Sequence, residues 1–407
     1  MNILLLSQFA GSPRHGMVFR NYAWAREWVK QGHRVTLVTS SFAHARSLNP
    51  PPGQTRIVEE DIDGVRYVWV WGNRYRAASA VGRLISMALF TLQCFFLKLP
   101  LQERYDVVIA SSAHPFTIYP AWRLARRFKA RLVYDIRDLW PLSLIELGGH
   151  SKRNPVIWLM DAAEKFACRH ADLVTAVPHR CESYLRDQGL PPGHFLAVGN
   201  GFIPEEMADE PLPTSHREKL EHLRTSGAFV VGYAGSIGLA NAMHTLVEAL
   251  NGSDERIHAV LMGHGACVED LKQQAQHLNV AHRVHFLEPV ARAQIPAFLR
   301  LIDLAYIGLL DLSVYRFGTS LTKVNDYMWA KKPILYSGND PDNAVVLSGG
   351  GFSCAAENIE ELRQTLNRAA AMDKKELTAL GDKGHQWLLE NRLVSRQVQQ
   401  IIAALGL

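Results

Sequence analysis

Short, continuously apolar runs alternating with amphipathic stretches constrain this chain more than any other feature. In the first half the runs are NILLL (2–6), RVTLVT (34–39), YDVVIAS (105–111), ARLVYDI (130–136) and ADLVTAV (171–177). They are rich in Leu or β-branched residues and lack polar alternation, the pattern of strands covered on both faces. Between them, FRNYAWAREWVKQG repeats apolar side chains at Tyr22, Ala25 and Val29, with Gly32 where a helix C-cap belongs. Strand, helix, strand in succession predicts a parallel sheet. The order then restarts: AFVVGYAGSIGLANAMHTLVEAL (228–250) is followed by IHAVLMGHGAC, RVHFLEPV, DLAYIGL and PILYS. Two Rossmann-like α/β domains are therefore expected, one over 1–205 and one over 206–384, with a helix in 385–407 packing back on the first. The Pro- and charge-rich segment MADEPLPTSHREKLEHLRTSG (207–227) is the expected linker. Ligands of such sheets bind at the carboxyl ends of the strands, so chemistry is expected in a cleft between the two.

One stretch departs from this pattern. TRIVEEDIDGVRYVWVW (55–71) alternates and turns at Asp63-Gly64, as a hairpin does. Its Asp61-x-Asp63, like Asp340-Pro-Asp342, reads as turn chemistry rather than a metal pair.

Size agrees with two domains, since 407 residues exceed one ordinary core. Five cysteines without close pairing suggest neither a disulfide framework nor a CxxC metal site, and a reducing cytoplasm is expected. MNILLLSQFAG reads as a first strand rather than a signal peptide. Charge is uneven: residues 1–200 carry 25 Lys/Arg against 15 Asp/Glu (+10), the remainder 19 against 24 (−5). The first half is thus suited to something anionic. Leu84 to Leu97 is apolar and flanked by Arg83 and Lys98, but short of the roughly 20 residues that span a bilayer. It reads either as a buried helix or as one docking on the membrane interface, helped by Arg74, Arg76 and RLARRFKAR.

Candidate chemistry begins with glycine loops. YAGSIGL follows a strand and opens a helix, so amides near Gly235, Ser236 and Gly238 are placed to meet an anion. LMGHGACVED adds Gly263 and Gly265, but neither loop completes GxGxxG, and each is equally readable as a tight turn. In YRFGTSLTKVNDYMWAKKPILYS (315–337), a helix capped by Ser320 would put Lys323 and Asp326 on one face and Val324 and Met328 on another. A lysine near phosphates and a carboxylate on vicinal ribose hydroxyls would hold a nucleotide diphosphate. Spacing alone equally allows a solvated ion pair.

Over nearly its full length the chain resembles the GT-B glycosyltransferases, specifically retaining family 4 enzymes. The nearest in kind are bacterial transferases of surface-polysaccharide assembly, including N-acetylfucosamine transferases of O-antigen synthesis. The likeness is carried by GMVFRNYAWAREWVKQGHRVTLVTS, DIRDLWPLSLIELG, YAGSIGLANAMHTLVEAL, VHFLEPVARAQIPAFLRLIDLAYIGL and FGTSLTKVNDYMWAKKPILYS. The family's Glu-x7-Glu element falls on Gly318 and Asp326, so the ribose ligand is retained, shortened, while the sugar-side carboxylate is absent. The resemblance implies that Phe317 and the amides of Gly318, Thr319 and Ser320 line the donor site, with Lys323 replacing the Arg and Lys that relatives carry near YAGSIGLAN. In IRDLWP, Arg137 stands where many members have His and Asp138 matches their Asp, implying an acceptor-side base and an anion contact. FAGSPRHG resembles the first-domain glycine loop, with Gly11, Ser12 and Gly16 near acceptor and phosphate; His15 and His114 read as bystanders.

The resemblance implies a retaining transfer from a UDP-sugar to a polyprenyl-diphosphate-linked saccharide, without cofactor or metal. It places the protein on the inner face of the cytoplasmic membrane, with no nucleic-acid partner. Two alternatives stay open: a non-hydrolysing UDP-sugar 2-epimerase of the same fold, and a non-catalytic nucleotide-sugar-binding scaffold, prompted by Gly318.

Overall fold

The computed structural model describes residues 1–16, 20–44, 46–50, 57–76, 79–97, 104–112, 114–146 and 148–407. Lys98, expected to flank the apolar run, lies outside them. The chain forms two compact units, 1–201 with 394–407, and 202–393.

The first unit comprises β1 (Asn2–Leu6), α1 (Arg20–Lys30), β2 (Arg34–Ser40), β3 (Ile57–Ile62), β4 (Val65–Val70), α2 (Ala80–Phe95), β5 (Val107–Ser111), α3 (Ile118–Phe128), β6 (Arg131–Ile136), α4 (Leu142–Glu146), α5 (Pro155–His170), β7 (Leu173–Ala176), α6 (Glu182–Asp187) and β8 (Phe195–Ala197). The sheet order is β3-β4-β2-β1-β5-β6-β7-β8. Every pairing is parallel except β3 with β4, the hairpin read from the sequence. Its turn needs left-handed backbone at Asp63 (φ 54°) and Gly64 (φ 80°), and Asp61 accepts the Gly64 amide at 3.1 Å. Strand order reverses between β1 and β5, which puts the crevice for ligands at their carboxyl ends.

The second unit comprises α7 (Thr214–Thr225), β9 (Phe229–Ala234), α8 (Met243–Leu250), β10 (Ile257–Met262), α9 (Val268–His277), β11 (Val284–Leu287), α10 (Ile295–Arg300), β12 (Leu304–Gly308), α11 (Thr322–Trp329), β13 (Ile334–Ser337), α12 (Ala344–Ser348), β14 (Gly351–Cys354), α13 (Ile359–Ala371) and α14 (Lys374–Asn391). The fully parallel order β11-β10-β9-β12-β13-β14 reverses between β9 and β12. Successive side chains enter opposite cores: Val231 and Tyr233 with Leu261 on one face, Val230 and Ala234 with Met262 on the other. This two-sided burial is why the strand runs show no polar alternation.

Three boundaries differ from the sequence reading. The segment expected to be a linker contains α7, which packs beside β9 through buried Leu220 and Leu223. The division falls at Gly201/Phe202, not 205/206, because Phe202 donates its amide to Arg392 O (2.8 Å) and pairs with Leu393, tying the two ends of the second unit together. The returning segment is α15 (Val394–Ala404), not 385–407, since α14 runs unbroken to Asn391 within the second unit. Trp24 and Trp28 of α1 donate to Gln397 Oε1 and Val398 O of α15, both at 3.3 Å.

Candidate functional site

In the second unit the glycine loops interlock. Gly235 donates to Met262 O at 2.9 Å, and Ile237 donates to His264 O at 2.8 Å. A Cβ at Gly263 would lie 1.9 Å from Gly235 O, and one at Gly265 2.1 Å from Ile237 O. Gly263 and Gly265 are thus required for backbone-to-backbone approach, as in the tight-turn reading of these loops. The Gly235 amide is likewise consumed, correcting its expected anion contact. Among the described residues the amides of Ser236 and Gly238 donate to nothing.

Lys323 reaches this loop from α11. Its Cε lies so close that a Cβ on Gly235 would sit 2.3 Å from it, and its ammonium is 5.4 Å from the Tyr233 ring centre. The lysine is half-buried, and among the described residues no carboxylate pairs with it. Burial pushes its pKa below the ordinary lysine value, partly offset by Asp326. One turn on, Asp326 accepts from Arg292 (3.3 Å) on the loop after β11. Burial raises its carboxyl, opposed by Arg292 and Lys323. The pair is therefore no solvated i,i+3 ion bridge. Arg292 was missed by sequence reasoning because its only signal, a cation just after VHFLEPV, has no fixed spacing to Asp326. Register between helix and loop is set by buried Tyr327, whose hydroxyl accepts the Ala234 amide at 3.0 Å at the end of β9.

The loop before α11 is arranged differently from the expectation. Ser320 does not cap the helix: Leu321 is the N-cap without a side-chain bond, and Ser320 Oγ accepts from Arg392 at 3.4 Å. Gly318 donates its amide to Tyr315 O (3.0 Å), and Thr319 donates its amide to buried Asp340 (2.7 Å). Two of the three amides assigned to the donor are thus committed internally, and Asp340 is a loop latch. Gly318 has φ 98° and ψ 156°, a conformation that side-chain-bearing residues rarely adopt. A carboxylate-bearing residue would be strained in that backbone. Phe317 lies under the Arg316 guanidinium (4.3 Å).

In the first unit, β6 delivers Asp135, Arg137 and Asp138 to the carboxyl edge. Asp135 is fully buried and accepts from Ser111 (2.8 Å), Thr175 (2.9 Å) and Arg20 (3.1 Å). The buried Arg–Asp pair is Arg20–Asp135; among the described residues Arg137 and Asp138 form no ion pair. Arg137 is half-buried, its pKa lowered by burial and by Arg20, while its amide donates to Ser112 Oγ at 3.2 Å. Asp138 reaches solvent, yet surrounding protein partly desolvates it and raises its carboxyl, against the pull of Arg137. It makes no hydrogen bond among the described residues, as an available acceptor-side carboxylate would not.

The loop of Gly11, Ser12 and Gly16 is braced by internal hydrogen bonds. Buried Ser12 bonds its Oγ to His15 Nδ1 (2.9 Å), Tyr67 donates to Gly11 O (2.8 Å), and Arg46 donates to Ala10 O (2.7 Å). Gly16 has φ 69° and abuts Ser47. His15 is a brace, its ring tilted against that of Trp69 at 4.8 Å between centroids. His114, on the loop after β5, is fully buried, neither ring nitrogen is bonded among the described residues, and burial lowers its pKa to about 3. It is neutral and retains unmet hydrogen-bonding capacity, which sequence reasoning did not credit.

Residues 15–201 match the family model described as a glycosyl transferase 4-like domain, and residues 216–387 match glycosyl transferases group 1. No curated protein matches significantly. HepE from Anabaena, solved with UDP and glucose, superposes with TM-score 0.64 at 19% identity over 100% of this chain and 99% of that one. Sucrose-phosphate synthase from Thermosynechococcus elongatus gives 0.71 at 15%, over 100% and 99%. WaaG, a glycosyltransferase involved in lipopolysaccharide biosynthesis, gives 0.63 at 13%, over 98% and 99%. Fold and domain matches together define a glycosyltransferase of the two-domain GT-B class. More particularly, the second domain is of the group 1 glycosyltransferase type and the first of the 4-like type.

Proposed function

We propose that this protein is a retaining, metal-independent glycosyltransferase. It moves a sugar, by family resemblance an N-acetylamino sugar, from a UDP-sugar to a lipid-diphosphate-linked saccharide in bacterial surface-polysaccharide assembly. The observation that carries the donor half is Lys323: a half-buried ammonium, unpaired with any carboxylate among the described residues, held against Gly235 with Asp326 one turn away. HepE in complex with UDP-glucose supports the nucleotide, and WaaG supports the pathway.

In this reading Lys323 and the amides of Ser236 and Gly238 hold the diphosphate and stabilise the charge that develops as UDP leaves. Asp326 accepts from the ribose hydroxyls. With no carboxylate at Gly318, the incoming hydroxyl attacks the face that UDP leaves, and its proton passes to the departing phosphate oxygen. Asp138, unengaged and with a raised carboxyl, orients the acceptor hydroxyl, and Arg137 meets an anionic acceptor group. Calorimetry with UDP and turnover against a panel of UDP-sugars test the proposal. Micromolar UDP binding with EDTA-resistant transfer supports it. Absence of UDP binding overturns the donor site, and a strict manganese requirement overturns metal independence.

A further inference from the structure

The apolar run at 84–97 folds as α2, whose N-terminus is fixed by Ser79 accepting the Gly82 amide at 3.1 Å. Only one side of this helix faces the core, through Ser86, Met87, Phe90 and Cys94. The opposite side is an apolar stripe: Val81, Leu84, Ile85, Ala88, Leu92 and Phe96, spaced 3, 1, 3, 4 and 4 residues apart, are all exposed. Val81 is 67%, Leu92 54% and Phe96 70% accessible. Such a stripe extends about 22 Å at the rise of an α-helix. Isolated exposed apolar residues need no explanation, but a continuous stripe of this kind does.

Charge identifies what covers it. Residues 71–131 carry ten Lys/Arg and only two Asp/Glu, Glu103 and Asp106, and α2 itself has no acidic residue. Exposed Arg74, Arg76 and Arg83 sit at the start of α2. At its other end α3 packs alongside, with Arg123 donating to Phe95 O at 2.7 Å, so exposed Arg126 and Lys129, near the end of α3, belong to the same layer. An apolar stripe with cations at both ends matches an anionic lipid surface, where acyl chains accept the stripe and headgroups the guanidinium groups. A second copy of this chain would bring two basic faces together. Among the described residues no helix is long and apolar enough to cross a membrane.

We infer that the outer face of α2, with the flanking cations of the loop before it and of α3, is a docking surface for an anionic membrane interface. This deepens the proposed function, on which its biological sense rests, but its test is independent of nucleotide binding. Full-length protein is floated with phosphatidylcholine vesicles, with or without phosphatidylglycerol. The expected result is binding to anionic vesicles only, weakened at least about tenfold by Leu84→Glu/Leu92→Glu and by Arg74→Glu/Arg76→Glu, and falling with salt. Both variants alter exposed positions, so unchanged thermal midpoints and unchanged UDP affinity confirm that the fold and the donor site persist. Equal binding to neutral and anionic vesicles, wild-type binding by either variant, or a dimer in sedimentation that Leu92→Glu disrupts, each overturns the inference. Loss of UDP affinity with vesicle binding intact would instead overturn the donor reading alone.

Discussion

Asp135 and Asp326 are both acids near the carboxyl edge of a parallel sheet, yet their surroundings differ. Asp135 accepts from Ser111, Thr175 and Arg20, and Arg20 in turn donates to Val198 O (2.8 Å) and Gly199 O (2.6 Å). Every polar group in that cluster is occupied, as a buried charge requires if it is to be a structural joint. Asp326 has one partner, half-exposed Arg292, and beside it Lys323 has no carboxylate partner among the described residues. The difference separates scaffold from site better than residue type does. A saturated buried charge holds the fold, and a partly buried charge with open valence is available to a ligand.

The largest effect that tests this contrast is Asp135→Ala. It strands the Arg20 guanidinium and should cost ~3–5 kcal/mol of stability. Denaturant unfolding measures it, and a loss below about 1 kcal/mol, the ordinary range for one point change, would make the cluster unimportant. Lys323→Ala should cost ~1.5–3 kcal/mol of UDP affinity, roughly 10- to 100-fold by calorimetry, with little change in folding stability. Unchanged affinity would remove its diphosphate role. Asp326→Asn should abolish any preference for UDP over 2′-deoxy-UDP, costing about tenfold in UDP affinity; a preserved preference would move the ribose elsewhere.

Smaller effects sharpen the same boundary. Because burial lowers the Lys323 pKa from 10.5, the protonated form that binds diphosphate is lost as pH rises, beginning below the range of an exposed lysine. UDP affinity should therefore decline on the alkaline side in the wild type but stay flat in Lys323→Ala. Gly318→Ala forces a side chain into backbone at φ 98° and should cost ~1–2 kcal/mol in stability, whereas an unchanged midpoint would show the loop relaxes without strain.

Much of the fold was legible because burial on both faces leaves a local mark. The runs read as β1, β2, β5, β6 and β7, and later as β9 through β13, are strands; so is the hairpin at Asp63-Gly64. Short β8 and β14 escaped, since both are partly exposed, FLA is only 3 residues long and GFSC lacks a continuous apolar run. The site was less legible. Lys323 and Asp326 share a helix, so their spacing is local, but the loop carrying Arg292 is brought to Asp326 only by sheet order and by Tyr327 pinning α11 to β9.

Two α/β series, a basic first half and a lysine–aspartate pair one turn apart are legible in the chain alone, because hydrophobic period and composition are local or additive properties. Which polar groups remain available is set by packing. Gly318 and Thr319 looked like donor-site amides until Tyr315 and Asp340 claimed them, and only packing shows that Arg20 saturates Asp135. Those outcomes depend on hydrogen bonds reaching 21 residues along the chain in one case and 115 in the other. Whether a charge is filled or waiting is a property of its three-dimensional surroundings, and no spacing in the chain encodes it.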